Sequence, residues 1–256
     1  MANKLREKLG TNKFVVGPFL KLPSPAVVEI MGLSGFDYVI IDGEHGPLNV
    51  LAAEDMVRAA HLAGISAVMR VTENNPAMIS RALDIGVDAV QVPQVSCRAD
   101  AEKAVKAAKF SPEGERGVCR FVRAAGYTSM DKSEYFKKAN RETMVIIHIE
   151  GREGIDNLDE ILEVDGVDIV FIGPYDLSQS LGLPGQVDNP EVEKKMIQVI
   201  DKAAARGKWV GTFVDDVQTG HKWINLGVQY ISYSVDVGIV YDACKKTVEA
   251  FHGKEK

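Results

Sequence analysis

Short apolar runs recur along this chain, and polar segments of helical length separate them. The runs lie at 14–20, 36–42, 65–71, 87–93, 144–150, 167–173, 208–214 and 228–235. Met144 to Ile149 and Val167 to Ile172 are continuous rather than alternating, which suits strands buried on both faces of a parallel sheet. Between those two, Ile155, Leu158, Ile161 and Leu162 fall on one face of a predicted helix. Gly35, Gly64, Gly86, Gly207 and Gly227 stand where helices should stop before the next strand, since glycine takes the left-handed conformation without a Cβ clash. Asp188-Asn189-Pro190 is a matching helix start. Eight strands alternating with helices predict a (β/α)8 TIM barrel, one domain over residues 1–256. A doubly wound open sheet usually carries a GxGxxG turn after its first strand, and none is present. Residues 111–140 break the rhythm as an inserted loop with a short helix. The insertion reads either as a solvated excursion or as a loop reaching an active site, its own or a neighbour's, although chain order places it on the barrel's amino face.

Barrel chemistry sits at the carboxyl ends of strands, so those ends define the candidates. They are Asp42, Glu44 and His45; Arg70; Gln91 and Gln94; His148 and Glu150; Asp176; Asp215 and Asp216; and Asp236. Glu150 and Asp176 end adjacent strands, and two acids at one edge suit a hard divalent cation. His45, in the tight loop DGEHGP beside carboxylates, is a candidate general base. Arg70 suits either a salt bridge to Asp42 or Glu44 or a bidentate grip on an oxyanion, and the two are compatible. His148 lies two residues before Glu150, so both face the same side of the strand. It is expected either to donate to a bound ligand or to hydrogen-bond within the barrel. No lysine is read at a strand's carboxyl end, which disfavours a Schiff-base mechanism. His61, His221 and His252 lie on helices or in the tail and are read as bystanders.

Composition narrows the partners. A net charge of −6, spread without blocks, argues against a nucleic-acid partner. The three cysteines are scattered, which suits a reducing cytoplasm, and no apolar run is long enough for a membrane span. The chain is expected to be soluble and cytoplasmic.

The segments DYVIIDGEHGP, MRV, HIEGREGIDNLDEIL and FIGPYDLSQSLGLPG resemble the metal-dependent class II 2-oxo acid aldolases of the HpcH/HpaI family. The resemblance implies reversible cleavage of a 4-hydroxy-2-oxo acid to pyruvate and an aldehyde with Mg2+, Mn2+ or Co2+. It implies Glu150 and Asp176 as metal ligands, His45 as base, Arg70 as enolate stabiliser, and the backbone around Pro174 and Tyr175 as the pyruvate carboxylate site. It assigns support of the histidine to an aspartate in an LDxG segment, here Asp84, whereas Asp42 is nearer in sequence; both remain candidates. His148 stands where the family commonly has glutamine, and Tyr175 where it has alanine. The resemblance also implies a homo-oligomer, commonly a hexamer built as a trimer of dimers, that exchanges the last helix; Val240, Cys244, Val248 and Phe251 form its apolar face. The rivals are an acyl-CoA lyase of the citrate lyase β-subunit type, for which no CoA surface is read, and a non-catalytic metabolite-binding barrel.

Overall fold

A computed structural model describes residues 3–253, so the outermost residues of the expected 1–256 domain lie outside the described residues. The strands are β1 (Val15–Leu20), β2 (Tyr38–Asp42), β3 (Ser66–Arg70), β4 (Ala89–Val92), β5 (Met144–Ile149), β6 (Ile169–Ile172), β7 (Trp209–Val214) and β8 (Tyr230–Val235). They pair in parallel and in chain order, and β8 closes on β1. The fold is the predicted TIM barrel, each strand within two residues of its apolar run. The helices are α1 (Lys4–Thr11), α2 (Pro25–Leu33), α3 (Val50–Leu62), α4 (Pro76–Asp84), α5 (Arg98–Ala108), α6 (Lys132–Glu142), α7 (Arg152–Asp156), α8 (Leu158–Leu162), α9 (Pro174–Ser180), α10 (Pro190–Ala205), α11 (Val217–Asn225) and α12 (Asp236–Phe251). The five predicted stop glycines all take positive φ.

Two departures have local causes. The single helix expected between β5 and β6 is two, α7 and α8, meeting at Asn157. There the backbone leaves helical geometry, and the Asn157 amide donates to the Ser96 carbonyl at 2.9 Å. Helix α1 was not legible as a core element. Asn3 caps it, and Leu5 and Leu9, one turn apart, are buried with the barrel's inward residues.

One apolar shell lies between strands and helices, and a second fills the barrel with Phe19, Tyr38, Phe171 and Tyr230 among its residues. Tyr38 and Tyr230 stack with ring centres 4.2 Å apart. Gly211 is required beside them, since a Cβ there would meet the Tyr230 ring at 2.6 Å and that of Phe171 at 2.9 Å. At the amino end an internal repeat ties the strands together. Gly35-Phe36-Asp37-Tyr38, Gly86-Val87-Asp88-Ala89, Gly166-Val167-Asp168-Ile169 and Gly227-Val228-Gln229-Tyr230 each lead into an even-numbered strand. Asp37, Asp88, Asp168 and Gln229 accept the backbone N–H of Val16, Ala67, Val145 and Val210 on or beside the preceding strand, at 2.8–3.0 Å.

The 111–140 insertion packs against this amino end. Phe110, Ala125 and Tyr135 form its small core, and α6 extends past its expected limit to Glu142. It does not reach the carboxyl mouth of its own barrel. A cavity of about 350 Å³ separates it from the strands, lined by Asp88, Arg116, Arg123 and Tyr135. Helix α12 touches β1 and β8 near its start, then runs outward with Val240, Tyr241, Val248 and Phe251 exposed. Among the described residues no helix is long and apolar enough to cross a membrane.

Candidate active site

Asp42 and Arg70 are register partners at the carboxyl ends of β2 and β3. Arg70 donates from Nε and Nη2 to the two Asp42 oxygens at 2.8 and 2.7 Å, and its Nη1 lies 2.7 Å from Glu44. The Phe19 ring lies 4.8 Å from the guanidinium carbon. Both expected salt bridges therefore form on one buried guanidinium, which keeps N–H groups to offer a ligand. Burial pushes the Asp42 carboxyl up, but the hydrogen bonds and charges of Arg70 and Lys21 win and hold it far below the usual aspartate range. Glu44 shifts the other way. Burial drives it up, Arg70 pulls it down, and the charge of Glu150 adds to the rise.

Lys21 corrects the expectation that no lysine stands at a strand end. It follows β1 directly, and its ammonium pairs with Asp42 and donates to the His45 carbonyl. An amine held in this way is not a free nucleophile, so the case against a Schiff base now rests on its partners. Asp42 also accepts the backbone N–H groups of Glu44 and His45, at 3.1 and 3.3 Å, and so shapes the DGEH turn. The imidazole of His45 is 63% exposed, and its Nε2 lies 4.0 Å from Glu44. Neither expected partner touches that ring within one chain. Asp42 is engaged by Arg70, Lys21 and the turn. Asp84 ends α4 at the opposite, amino side of the barrel and pairs with Arg116 at 2.6 Å.

Glu150 follows β5 and is 8% exposed. Its Oε1 accepts the Gln94 N–H at 2.8 Å, and its Oε2 lies 2.9 Å from His148 Nδ1. Burial opposes its charge, while His148, the Gln94 N–H and Arg70 favour it and hold its carboxyl below the usual range. Gly173 must be glycine for Glu150 to lie there, since a Cβ would sit 2.7 Å from Oε2. Gly173 caps α9, so Pro174, Tyr175 and Asp176 form the first turn beside Glu150, at the end of the neighbouring strand. Pro174 is buried, while Asp176 and Tyr175 are exposed. The Tyr175 hydroxyl donates to Asp215 at 2.7 Å, which, with burial, raises its pKa to about 12.

For His148 the structure shows the second of the two expected arrangements, a hydrogen bond within the barrel. His148 is fully enclosed, its Nδ1 is engaged by Glu150 and its Nε2 by Gln91, and its ring stacks on Phe171. With both nitrogens occupied it cannot donate to a bound 2-oxo acid. The histidine lies beneath the acid rather than beside a ligand.

Among the described residues no set of three or more His, Cys, Asp or Glu side chains is arranged to hold a metal. The donors at the mouth nevertheless fit a hard divalent cation. They are two carboxylates on adjacent strands, with Glu44 raised partly by the negative charge of Glu150, a repulsion that a cation would relieve.

The family model for HpcH/HpaI aldolase/citrate lyase matches residues 16–243. The chain belongs to this family. Similar proteins include the 5-keto-4-deoxy-D-glucarate aldolase of Escherichia coli O6:H1, 32% identical over 97% of this chain and 96% of that protein. A Burkholderia cenocepacia J2315 member of the HpcH/HpaI aldolase/citrate lyase family superimposes with a TM-score of 0.93 at 31% identity, over 98% of this chain and all of the other. The citrate synthase SbnG superimposes at 0.89 and 30% identity, over 98% of each chain. This HpcH/HpaI member is a carbon–carbon lyase of the class II, metal-dependent aldolase type. Sequence reasoning missed Lys21, the engagement of Gln91, and Gln94 as the N–H donor to Glu150. The only local signal for the last was position at a strand end, since nothing in the sequence shows the positive φ that Gln94 adopts.

Proposed function

We propose that this HpcH/HpaI barrel cleaves a 4-hydroxy-2-oxo acid reversibly to pyruvate and an aldehyde. The observation that carries the reading is the buried Asp42–Arg70–Glu44 cluster facing Glu150 and Asp176 across one carboxyl mouth. Glu150 and Asp176 would hold a divalent cation, Mg2+, Mn2+ or Co2+. When bound, the cation would supply positive charge against the oxyanion that develops at the 2-oxo group. Arg70, pinned by two acids, meets the same oxygen without reorganising. His45, on its Asp42-braced turn, takes the proton from the C4 hydroxyl as the C3–C4 bond breaks to aldehyde and enolate, and C3 of the enolate then takes a proton to give pyruvate; condensation runs the same transfers in reverse. The backbone around Pro174 and Tyr175 receives the carboxylate, and Tyr175 with Asp215 borders the aldehyde side. The similarity to 5-keto-4-deoxy-D-glucarate aldolases makes a sugar-acid-derived substrate the first to try.

A coupled assay of pyruvate release from that substrate and a generic 4-hydroxy-2-oxo acid, with EDTA and then Mn2+, tests the proposal. Full activity in chelator, or cleavage confined to acyl-CoA thioesters, would refute it. Assembly follows from α12, which exposes an apolar face on its own barrel. We propose that it docks on a neighbouring copy in a homo-oligomer, a hexamer built as a trimer of dimers. Light scattering showing a monomer would overturn that.

A further inference from the structure

Glu150 is the last member of a hydrogen-bonded line that starts deep inside the barrel. Tyr230 Oη lies 3.4 Å from Gln91 Oε1, Gln91 Nε2 lies 2.5 Å from His148 Nε2, and His148 Nδ1 lies 2.9 Å from Glu150 Oε2. All three inner residues are at most 1% exposed. The chemistry of the ends fixes the direction. An ionised carboxylate only accepts, so the proton between His148 and Glu150 sits on Nδ1. A neutral ring then presents a lone pair at Nε2, which the Gln91 amide N–H satisfies, leaving the Gln91 carbonyl to accept from Tyr230. Phe171 stacks on the imidazole at 4.6 Å, and Tyr38 on Tyr230 at 4.2 Å. Tyr38 donates its own proton to the Ile231 carbonyl at 2.6 Å. The other Glu150 oxygen is fixed by Gln94, whose backbone adopts φ 57°, a conformation costly for a residue with a side chain.

We infer that His148, locked as its Nδ1–H tautomer by Gln91 and Tyr230, is a positioning residue that aims the Glu150 carboxylate. The inference rests on the proposed role of Glu150 as a cation ligand. Each Glu150 oxygen accepts one bond from the protein, which fixes the carboxylate plane and leaves the outward lone pairs for a cation. Partners behind a metal ligand commonly matter by about 10- to 100-fold in affinity. Gln91 matters in the same way at one remove, because it occupies Nε2 and holds the ring against Glu150.

The test is Mn2+ binding to the substrate-free protein, read from free Mn2+ by electron paramagnetic resonance, together with 15N NMR of labelled histidine. The wild type should show one neutral histidine with hydrogen on Nδ1, absent in His148→Phe. His148→Phe keeps the stack on Phe171 and should weaken Mn2+ by about 10-fold or more at unchanged secondary structure. Gln91→Leu should leave Nε2 without its bond, shift its 15N resonance and weaken Mn2+ by a smaller factor. Should His148→Phe fold poorly, Gln91→Leu and the wild-type NMR still decide. Wild-type-like Mn2+ binding in both variants, with Glu150→Gln weakened, would overturn the positioning role and leave the cation site intact. Hydrogen on Nε2 in the wild type would also overturn it. Normal binding by Glu150→Gln would instead remove the cation reading on which the inference stands.

Discussion

The two ends of the barrel are both rich in acids, yet they use them differently. At the amino end each acid of the Gly-x-Asp repeat is consumed by structure. Asp37, Asp88 and Asp168 each take a backbone N–H and a cationic or histidine side chain, Lys8, His61 and Arg6 respectively. At the carboxyl end Asp42 is saturated in the same way and Glu150 takes the Gln94 N–H and His148, but Glu44 and Asp176 are not so matched. Glu44 is raised by burial and by Glu150, and the Asp176 carboxylate makes no hydrogen bond or ion pair among the described residues. Satisfied acids stabilise a fold, whereas acids held close without matching cations store unfavourable charge that a ligand can relieve. The difference between the ends, rather than the count of acids, marks the mouth as the reactive one.

The sharpest way to break the comparison is to remove the two acids proposed to hold the cation. Glu150→Ala or Asp176→Ala should reduce pyruvate release to background while circular dichroism stays native, and EDTA should reproduce this until Mn2+ is added. Persistent turnover in either variant would erase the distinction between the ends. Next in size are the residues that meet the substrate. His45→Ala should cost about 100- to 10,000-fold in kcat with little change in stability, because the ring is exposed. Arg70→Ala should cost about 100- to 1,000-fold and, unlike His45→Ala, should also destabilise. It strands Asp42 and Glu44, and breaking a buried pair costs about 3–5 kcal/mol. Equal stability of the two variants would mean that Arg70 is not the strut its contacts describe.

Much of this arrangement was legible from the chain. Every strand was, because a strand buried on both faces must be apolar throughout, and the strand ends then collected Asp42, Arg70, Glu150 and Asp176 without any structure. What stayed hidden depends on contacts between distant positions. His148 and Gln91 are 57 residues apart, and no local pattern shows that each occupies the other's polar atom. Lys21 escaped because its strand ends in the polar stretch Lys21-Leu22-Pro23, which reads as an ordinary loop until Asp42 and the His45 carbonyl are placed against it. Asp84, a candidate through the resemblance alone, ends a helix at the amino side, and its pairing with Arg116 agrees with that position.

Acid should distinguish the satisfied member of the mouth from its neighbours. Asp42 has a folded pKa well below its unfolded value of about 3.9. Its stabilising contribution is therefore complete above that value and is lost only as pH falls below it toward the depressed folded pKa. The stability gap between wild type and Asp42→Asn, measured by urea denaturation, should stay constant from pH 8 to 5 and narrow only below about pH 4. A gap that closes near neutrality would show that Arg70 and Lys21 do not hold the carboxylate ionised. A smaller effect is expected at Tyr175. The Tyr175–Asp215 bond stands at the rim, with Tyr175 against Phe213. Tyr175→Ala should leave kcat for a small aldehyde within a few-fold and raise kcat/KM for bulky acceptors by about 10-fold. Unchanged acceptor preference would place Tyr175 outside the aldehyde side.

The smallest expected effect comes from the amino end, and it tests the other half of the contrast. Asp168 accepts the Val145 N–H at 2.8 Å and pairs with Arg6 at 2.9 Å. Asp168→Asn keeps a side-chain oxygen for the buried N–H and loses only the charge facing Arg6, a partly exposed residue. A pair of that kind contributes about 0–1 kcal/mol. Asp168→Ala removes the acceptor as well and leaves the strand's N–H without a bond, a loss of about 1–3 kcal/mol. Neither variant should alter kcat or the metal requirement, because β5 carries its chemistry at the opposite end. Urea denaturation and steady-state assays on the pair separate the two contributions. A drop in kcat for Asp168→Asn at nearly wild-type stability would mean that charge at the amino end reaches the reacting groups, and the division between a structural end and a chemical end would fail.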